Sequence, residues 1–163
     1  MRLEEICSMK TKHVSNGFMS IRGGKTDAAT RDVPVHPVIE KLLEHLISKS
    51  TDGYLLSGLK SGGYDNKRSW NIQKQFGRKR NKLGIPDNKK FHCLRKNFST
   101  ALENASVPEN IAQQLVGHLK KSMTYSLYSQ GATHDVLKKE ISKISFGFID
   151  NIVTEKMENL NSF

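Results

Sequence analysis

Apolar residues recur every three or four positions over much of this chain, the spacing that places side chains on one face of an α-helix. The clearest example is residues 37–49, which begin with a proline suited to a first helical turn. The apolar face of this predicted core helix consists of Ile39, Leu42, Leu43, Leu46 and Ile47. Similar spacing predicts helices over residues 2–10, from about 69 to 84, and over 91–105, 106–118, 121–128 and 133–144, and an amphipathic tail over 146–163.

Two short β-favouring runs lie between the first and second predicted helices. Residues 17–22 (GFMSIR) and 31–36 (RDVPVH) are separated by a loop rich in Gly, Lys, Thr and Asp, which is typical of an antiparallel hairpin. Residues 51–69 are rich in Gly and Ser and predict a loop with a brief extended piece at 54–56. The order helix, hairpin and then a run of helices predicts an α+β, mainly α domain with a small antiparallel sheet at one edge.

Residues at the predicted helix ends suggest where the helices start and stop. Ser106 is expected to cap the helix that follows it, with Pro108 just inside, and Thr133 is expected to cap the helix at 133–144. Gly84 is suited to the C-terminal end of the helix that begins near residue 69.

Length and charge narrow the possible partners. The chain has 163 residues, enough for one domain and a tail, and its formal net charge of +10 predicts an anionic polymer or an anionic membrane as partner. No apolar run approaches the ~20 residues that a membrane span needs. The first ten residues also lack the apolar core of a signal peptide. We therefore predict a cytoplasmic protein without a membrane partner.

The predicted helix that begins near residue 69 combines an apolar and a strongly basic face. Its apolar positions are Trp70, Ile72, Phe76 and Leu83. Its basic residues are candidates for binding the anionic partner, and they are Lys74, Arg78, Lys79, Arg80 and Lys82.

The two cysteines, Cys7 and Cys93, have neither CxxC spacing nor a nearby group of histidines. We expect both to be buried, reduced thiols, and we predict no metal and no cofactor. The acidic residues show no spaced set of carboxylates for two-metal catalysis, which disfavours a metal-dependent nuclease or transposase.

A few residues could carry chemistry, although each has an ordinary explanation when taken alone. His92 and Arg95 are three residues apart and so share a helix face, where both could simply be solvated. His118 follows Gly117 at a predicted helix end and could act as a charged cap. Arg2 and Lys25 could be surface residues. Two tyrosines, Tyr125 and Tyr128, follow the Gly-His pair.

Taken in order, the set Arg, Lys, His-x-x-Arg, Gly-His and Tyr resembles the catalytic domain of the tyrosine recombinases, the phage integrase family. The resemblance extends to the flanking segments MRLEEICSMKTKHV, GGKTDAATRDVPVH, HCLRKNFSTAL and LVGHLKKSMTYSLYS. It covers residues 1–145 and leaves 146–163 as a C-terminal tail, which could fold back on its own core or pack on a neighbouring protomer. One departure is Lys96, where many relatives have histidine; this position is outside the catalytic set.

The resemblance implies site-specific DNA recombination without metal or cofactor, through a 3′-phosphotyrosine intermediate. Arg2, Arg95 and His118 would bind the phosphate oxygens, which gain negative charge during attack. His92 would donate a hydrogen bond or transfer a proton. Lys25 would protonate the leaving 5′-oxygen, and Glu5 would orient Arg2.

The nucleophile implied by the resemblance is Tyr128, because its spacing from Gly-His fits the family better than that of Tyr125. Tyr125 would then be a packing residue. Since a tyrosine hydroxyl has an ordinary pKa near ~10, the site must favour the phenolate, and a cationic pocket does so.

The implied partner is double-stranded DNA, with the five basic residues above as phosphate contacts, and the implied assembly is a tetramer on DNA. The protein would be cytoplasmic and associated with the nucleoid. Relatives carry further helices and a separate DNA-binding domain before the first arginine, so we expect this chain to lack them. Two alternatives remain open: a DNA-binding domain without catalysis, and a type IB topoisomerase-like activity.

Overall fold

The computed structural model describes residues 1–22, 30–117 and 131–160. Within these ranges the chain forms seven α-helices and a three-stranded sheet, which confirms the predicted fold class. The helices are α1 (Leu3–Cys7), α2 (Glu40–Ser48), α3 (Trp70–Lys82), α4 (His92–Asn104), α5 (Glu109–Val116), α6 (His134–Ile141) and α7 (Phe148–Leu160). The strands are β1 (Val14–Ser15), β2 (Phe18–Ile21) and β3 (Arg31–Pro34), and short 3₁₀ turns precede β1 and α2 at Thr11–His13 and Pro37–Ile39.

The sheet is antiparallel throughout, in the order β1-β2-β3. The expected pairing of β2 with β3 is present, with Met19 opposite Val33 and Ile21 opposite Arg31. Strand β1 was not predicted, yet it pairs with β2 through a two-residue turn at Asn16-Gly17. Both turn residues have positive φ, 53° and 75°, as a type I′ turn requires. The Asn-Gly pair was therefore the signal in the sequence for this extra strand.

Two groups of buried side chains form the core, one on the sheet side and one among the later helices. The first joins the sheet to α2 and consists of Met9, Met19, Ile21, Val33, Leu43 and Leu55. The second joins α4, α5 and α6 and consists of Leu102, Val107, Ile111, Leu115, Val116, Leu137, Ile141 and Ile144. Strand β3 contacts both α5 and α6, so it connects the two groups.

The predicted cap at Ser106 is wrong. Ser106 has a positive φ of 54° and ends α4 instead of starting α5. The Val107 N–H donates to the Leu102 carbonyl and the Ser106 N–H donates to the Glu103 carbonyl, which together form a Schellman motif. Pro108 occupies the N-cap position of α5. Serine is a common N-cap residue, which is why the sequence suggested that Ser106 starts α5. In the structure Ser106 is instead part of the C-terminal motif of α4.

Three other expectations are only partly met. Thr133 does stand at the N-cap of α6, but its side chain makes no capping hydrogen bond. Cys7 is buried as expected, whereas Cys93 is only partly buried. Leu83, assigned to the apolar face of α3, is 71% exposed because it follows the last helical residue.

The predicted amphipathic tail forms α7. It packs against α2 and the 37–39 turn, with Met157 buried. Phe148, Ile149 and Ile152 on the same helix are exposed. The predicted helix at 121–128 lies outside the described residues, as do Lys25, His118, Tyr125 and Tyr128. None of the helices in the described ranges is both long enough and apolar enough to cross a membrane.

Candidate active site

Helix α1 has five residues and depends on tertiary contacts, because so short a helix is unstable alone. Glu4 supplies one set of these contacts. Its carboxylate accepts hydrogen bonds from the backbone N–H groups of Ser69 at 2.9 Å and Arg68 at 3.3 Å, and from the Ser8 hydroxyl at 2.6 Å. Ser69 is the N-cap residue of α3, so Glu4 binds the positive end of that helix. Burial acts to raise the pKa of Glu4, but the hydrogen bonds from Ser69 and Ser8 outweigh burial and lower it.

The other end of α1 is held by Arg68. Its Nε donates to the Cys7 carbonyl at 2.9 Å, which satisfies one of the carbonyl groups that a helix end leaves free. Its Nη2 donates to the Leu56 carbonyl at 3.0 Å, and its guanidinium lies 3.6 Å from the centroid of the Tyr54 ring. The 51–69 loop therefore fixes the direction of α1, and with it the position of Arg2.

Glu5 lies where α1 meets β3, and two arginines share its carboxylate. Arg31 donates to both oxygens, from Nη2 to Oε2 at 3.0 Å and from Nη1 to Oε1 at 3.4 Å. Arg2 donates its backbone N–H to Oε2 at 2.6 Å and its Nη1 to Oε1 at 3.2 Å. Burial acts to raise the pKa of Glu5, but the hydrogen bonds from Arg31 and from the Arg2 backbone outweigh burial and lower it. The expected contact between Glu5 and Arg2 is present, although Arg31 makes the more extensive one.

Arg31 is a residue that the sequence analysis missed. Its side chain is only 6% exposed, although arginine is seldom buried without a partner. The available signal was strand alternation: Arg31 and Val33 are two residues apart, so they point to the same, inward face of β3. An arginine on the inward face of a strand requires an anion nearby, and Glu5 meets that requirement.

The C-terminal end of α5 also rests on Arg31. Gly117 ends this helix with φ 80° and ψ 50°. A Cβ atom added to Gly117 would lie 2.5 Å from Cζ of Arg31, closer than any real contact. Glycine is therefore needed here both for the left-handed backbone and for the approach of the guanidinium. Arg31 thus joins three elements: the α1 end that carries Arg2, its own strand β3, and the α5 end that precedes His118.

Helix α4 contributes His92, its first residue, and Arg95 one turn later. Both line a cleft of about 570 Å³ that is also lined by Arg2, Lys67 and Gln73. The structure therefore brings Arg2, His92 and Arg95 together, three of the six residues predicted to be catalytic. The other three, Lys25, His118 and Tyr128, lie outside the described residues.

The electrostatics of the cleft are those of a cationic site. The pKa of Arg95 is lowered by burial first, and then by the nearby charges of Arg31 and Arg2, with partial relief from Glu5. The pKa of the Met1 amine is lowered to about 6, by burial and by the positive charges of Arg95 and Arg31. Nη1 of Arg95 is buried and has no hydrogen-bond partner in the described part of the chain. A buried donor in such a field has a strong preference for an anionic acceptor.

The five basic residues of α3 are not equivalent. Arg80 is 14% exposed and bound to Asp87 and Asn81, so it holds the segment that connects α3 to α4. Nζ of Lys74 lies 3.7 Å from the centroid of the Trp70 ring. The remaining three, Arg78, Lys79 and Lys82, are exposed. On its inner side α3 contacts the start of α4 through Phe76, which meets Phe91 edge to face at 5.3 Å.

The described residues contain no group of three or more His, Cys, Asp or Glu side chains arranged to hold a metal ion. What they do contain is a set of guanidinium groups and a histidine at a single cleft of a mainly helical domain. This combination of fold and site defines a protein of the integrase type.

Comparison with known proteins supports this class. The model of the phage integrase family matches residues 1–134, and the chain belongs to that family. The structure is similar to the integrase from mycobacterium phage Brujita, with 20% sequence identity and a TM-score of 0.61 over 89% of this chain. The chain spans 47% of the length of that integrase. No curated protein matches the sequence.

Proposed function

We propose that this chain is the catalytic part of a site-specific recombinase that cleaves and rejoins DNA through a 3′-phosphotyrosine intermediate. Membership of the phage integrase family supports site-specific recombination in general. The observation that carries the mechanism is the convergence of Arg2, His92 and Arg95 on one cleft, together with the buried charge of Arg31. On this proposal the domain comprises residues 1–145, and 146–163 is an appended segment. The protein acts in the cytoplasm, on the DNA of the nucleoid.

Arg95 and Arg2 are the proposed ligands of the scissile phosphate. When a phosphodiester is attacked, negative charge builds up on its non-bridging oxygens, and a planar guanidinium can donate two parallel hydrogen bonds to them. Arg95 suits this role because it is partly buried, repelled by neighbouring cations and left with a free donor in the described part of the chain. An anion bound at Arg95 would offset the repulsion from the neighbouring cations and would accept a hydrogen bond from the unpaired Nη1.

The remaining roles are assigned to His92, His118 and Lys25. His92 donates a hydrogen bond or transfers a proton at the phosphate, and His118 adds a further donor. Support for His118 comes from its neighbour in sequence, Gly117, which packs against the guanidinium of Arg31. Lys25 protonates the leaving 5′-oxygen, so that the broken P–O bond yields a neutral hydroxyl.

Tyr128 is the proposed nucleophile. Its oxygen forms the new bond to phosphorus while the bond to the 5′-oxygen breaks, and the phosphodiester energy is retained for rejoining. The cations that lower the pKa of Arg95 would also lower the pKa of a phenol beside them, because positive charge favours the phenolate over the neutral hydroxyl. The site therefore has the electrostatics needed to activate a tyrosine near neutral pH.

Double-stranded DNA is the proposed partner, bound through its phosphates. The net charge of +10 and the exposed basic side chains Arg78, Lys79 and Lys82 support this assignment. Self-association as a tetramer on DNA is proposed on the exposed apolar side chains of α7, namely Phe148, Ile149 and Ile152.

Covalent trapping tests the proposal. The chain is mixed with a pool of labelled duplexes of randomised sequence, each nicked so that cleavage releases a short fragment and prevents rejoining. We expect a covalent protein–DNA adduct on a denaturing gel, formed equally well in EDTA and lost in Y128F. If Y125F loses the adduct and Y128F keeps it, the assignment of the nucleophile is wrong.

The same assay separates the alternatives. DNA binding without any adduct would favour a DNA-binding domain that lacks catalysis. An adduct combined with relaxation of supercoiled plasmid at all sequences would favour topoisomerase-like activity. Sequencing the trapped duplexes decides between that activity and recombination, because a recombinase enriches one sequence. Cleavage that disappears in EDTA would contradict the proposed chemistry and favour a metal-dependent nuclease.

A further inference from the structure

We propose that Arg31 is a positioning residue of this site, which engages the Glu5 carboxylate so that the guanidinium of Arg2 remains available to a DNA phosphate. The proposal rests on the proposed function, because it assigns Arg2 to the phosphate. It adds a residue of β3 to a site whose described members, Arg2, His92 and Arg95, line one cleft.

The two arginines compete for one carboxylate on unequal terms. Arg31 engages both oxygens of Glu5 with its two terminal nitrogens, at 3.0 and 3.4 Å. The Arg2 side chain makes a single bond to Oε1 at 3.2 Å. A planar guanidinium that faces a carboxylate with both nitrogens forms the strongest arrangement of this pair. Arg31 occupies that arrangement, so Glu5 holds the guanidinium of Arg2 through one nitrogen only.

Burial explains why Arg31 positions the site and does not itself bind substrate. The side chain of Arg31 is 6% exposed and that of Glu5 is 12% exposed, whereas that of Arg2 is 54% exposed. A DNA phosphate can reach Arg2 but not Arg31. Arg31 therefore acts on the phosphate indirectly, through groups that it contacts, and Glu5 and Gly117 are two of these.

Removing Arg31 would reverse the competition. The Glu5 carboxylate would remain largely buried, and the guanidinium of Arg2 already donates a hydrogen bond to it. A buried carboxylate without a full partner is costly, so Arg2 would take up the two-point arrangement that Arg31 vacated. Arg2 would then be turned toward Glu5 and away from the cleft that it shares with Arg95. The loss would fall on catalysis more than on DNA affinity, because phosphate contacts elsewhere dominate binding.

The pairing also connects segments that are distant along the chain. Glu5 and Arg31 are 26 residues apart, and Gly117 packs on the same guanidinium. One buried side chain therefore sets the spacing between the start of α1 and the end of α5.

Single-turnover trapping on a saturating nicked duplex selected from the pool tests the inference with three variants of the full chain. R31M removes the charge but keeps the length of the side chain, and E5Q removes the carboxylate charge. We expect R31M to form the adduct at least tenfold more slowly than the wild type, with DNA affinity changed less than threefold. We expect R31M/E5Q to be at least fivefold faster than R31M, because no carboxylate remains to capture Arg2.

A purely structural ion pair gives a different result. In that case the rate of adduct formation by each variant would be proportional to its folded fraction, measured by urea denaturation. The double variant would then be no faster than R31M under conditions in which both are folded. That outcome overturns the proposal, as does an R31M rate within threefold of the wild type. If R31M fails to fold, R31K keeps a charge without the two-nitrogen geometry, and R31K/E5Q must then be faster than R31K.

Failure of the proposed function would be recognised separately. If the wild type binds DNA but forms no adduct, recombinase chemistry is wrong and Arg31 is tested by binding alone. R2A is then made in the wild type and in R31M, and the affinity for the same duplex is compared. The proposal requires that R2A weakens binding in the wild type and has a smaller effect in R31M, where Arg2 is already withdrawn. Equal effects in both backgrounds would overturn it.

Discussion

A Cβ atom on Gly117 would lie 2.5 Å from the guanidinium carbon of Arg31. The arginine cannot easily yield, because it is buried and paired with Glu5 at 3.0 Å. The glycine that precedes the candidate active-site histidine is thus fixed by two independent requirements, its left-handed backbone and its contact with a buried cation.

The change G117A separates these two requirements when it is compared with G84A. Gly84 also has a positive φ, 65°, but no atom lies within 4 Å of its added Cβ. Alanine in the left-handed region costs about 1–2 kcal/mol. We expect G84A to lose roughly that much, and G117A to lose at least about 1 kcal/mol more from the forced shift of Arg31. Urea unfolding measures both, and equal losses would mean that Arg31 moves aside freely.

The lowered pKa of Glu4 should make the free energy of unfolding depend on pH. Its pKa in the folded protein lies below the ordinary value of 4.5 because of the hydrogen bonds from Ser69 and Ser8, which outweigh burial. The stabilisation is therefore complete above about pH 4.5 and is lost as the pH falls through the folded value. We expect E4Q to be roughly 1 kcal/mol less stable than the wild type at pH 7, as for the loss of a helix cap. The gap should narrow at pH 3.5. The other acidic groups are common to both proteins, so a constant gap would contradict this account.

Substitution of Arg95 should separate activity from stability. Its pKa is lowered by burial and by the charges of Arg31 and Arg2, so the charged side chain is disfavoured in the folded state. We expect R95L to be at least as stable as the wild type in urea. We also expect adduct formation to fall by roughly 10²–10³-fold, as for removal of one transition-state donor. R95K serves as the control that keeps a charge, and a large loss of stability in R95L would show that Arg95 is structural.

The salt dependence of DNA binding should distinguish the basic residues of α3. Each exposed cation that meets a phosphate adds about 0.9 to the slope of log K against log salt. We expect R78A, K79A and K82A each to reduce the slope by up to that amount. R80A is the matched control, since Arg80 is bound to Asp87 and largely buried. It should leave the slope unchanged, and a loss of slope in R80A would show that the Asp87 contact breaks on DNA.

The exposed face of α7 should control self-association on DNA. Replacing Phe148, Ile149 and Ile152 by glutamate removes the apolar face without touching the buried Met157. We expect the triple variant to keep its unfolding free energy within about 1 kcal/mol, as exposed changes usually do, and to sediment on DNA as a smaller complex than the wild type. N151E adds charge at an exposed position of the same helix and is the control. Complexes of unchanged mass in the triple variant would exclude this face as the contact.

Much of the fold and part of the site are local in sequence, and these features could be predicted. Helical spacing located α2, α3, α4 and α6 to within a few residues, and alternation with turn residues located the β2–β3 pair. The contact between Glu5 and Arg2 follows from three-residue spacing on one helical turn. The same rule places His92 and Arg95 side by side on α4.

What the sequence did not reveal depends on which elements meet. Ser106 has the chemistry of a helix start, yet the end of α4 uses it in a Schellman motif. Arg80 belongs to a run of apparently equivalent cations, and only the path of the following loop brings Asp87 to it. Leu83 fits the apolar periodicity of α3, but the helix ends one residue earlier, at Lys82.

The amino-acid sequence alone thus determined the class of the fold, the order of its elements and the candidate phosphate-binding residues, because period, turn chemistry and side-chain type are local properties. Only the tertiary structure decided that Arg31 is buried against Glu5 and Gly117, and that Arg2 is left exposed at the cleft. Burial and the sharing of one carboxylate between two cations arise from contacts across 26 and more residues, and no local spacing encodes them.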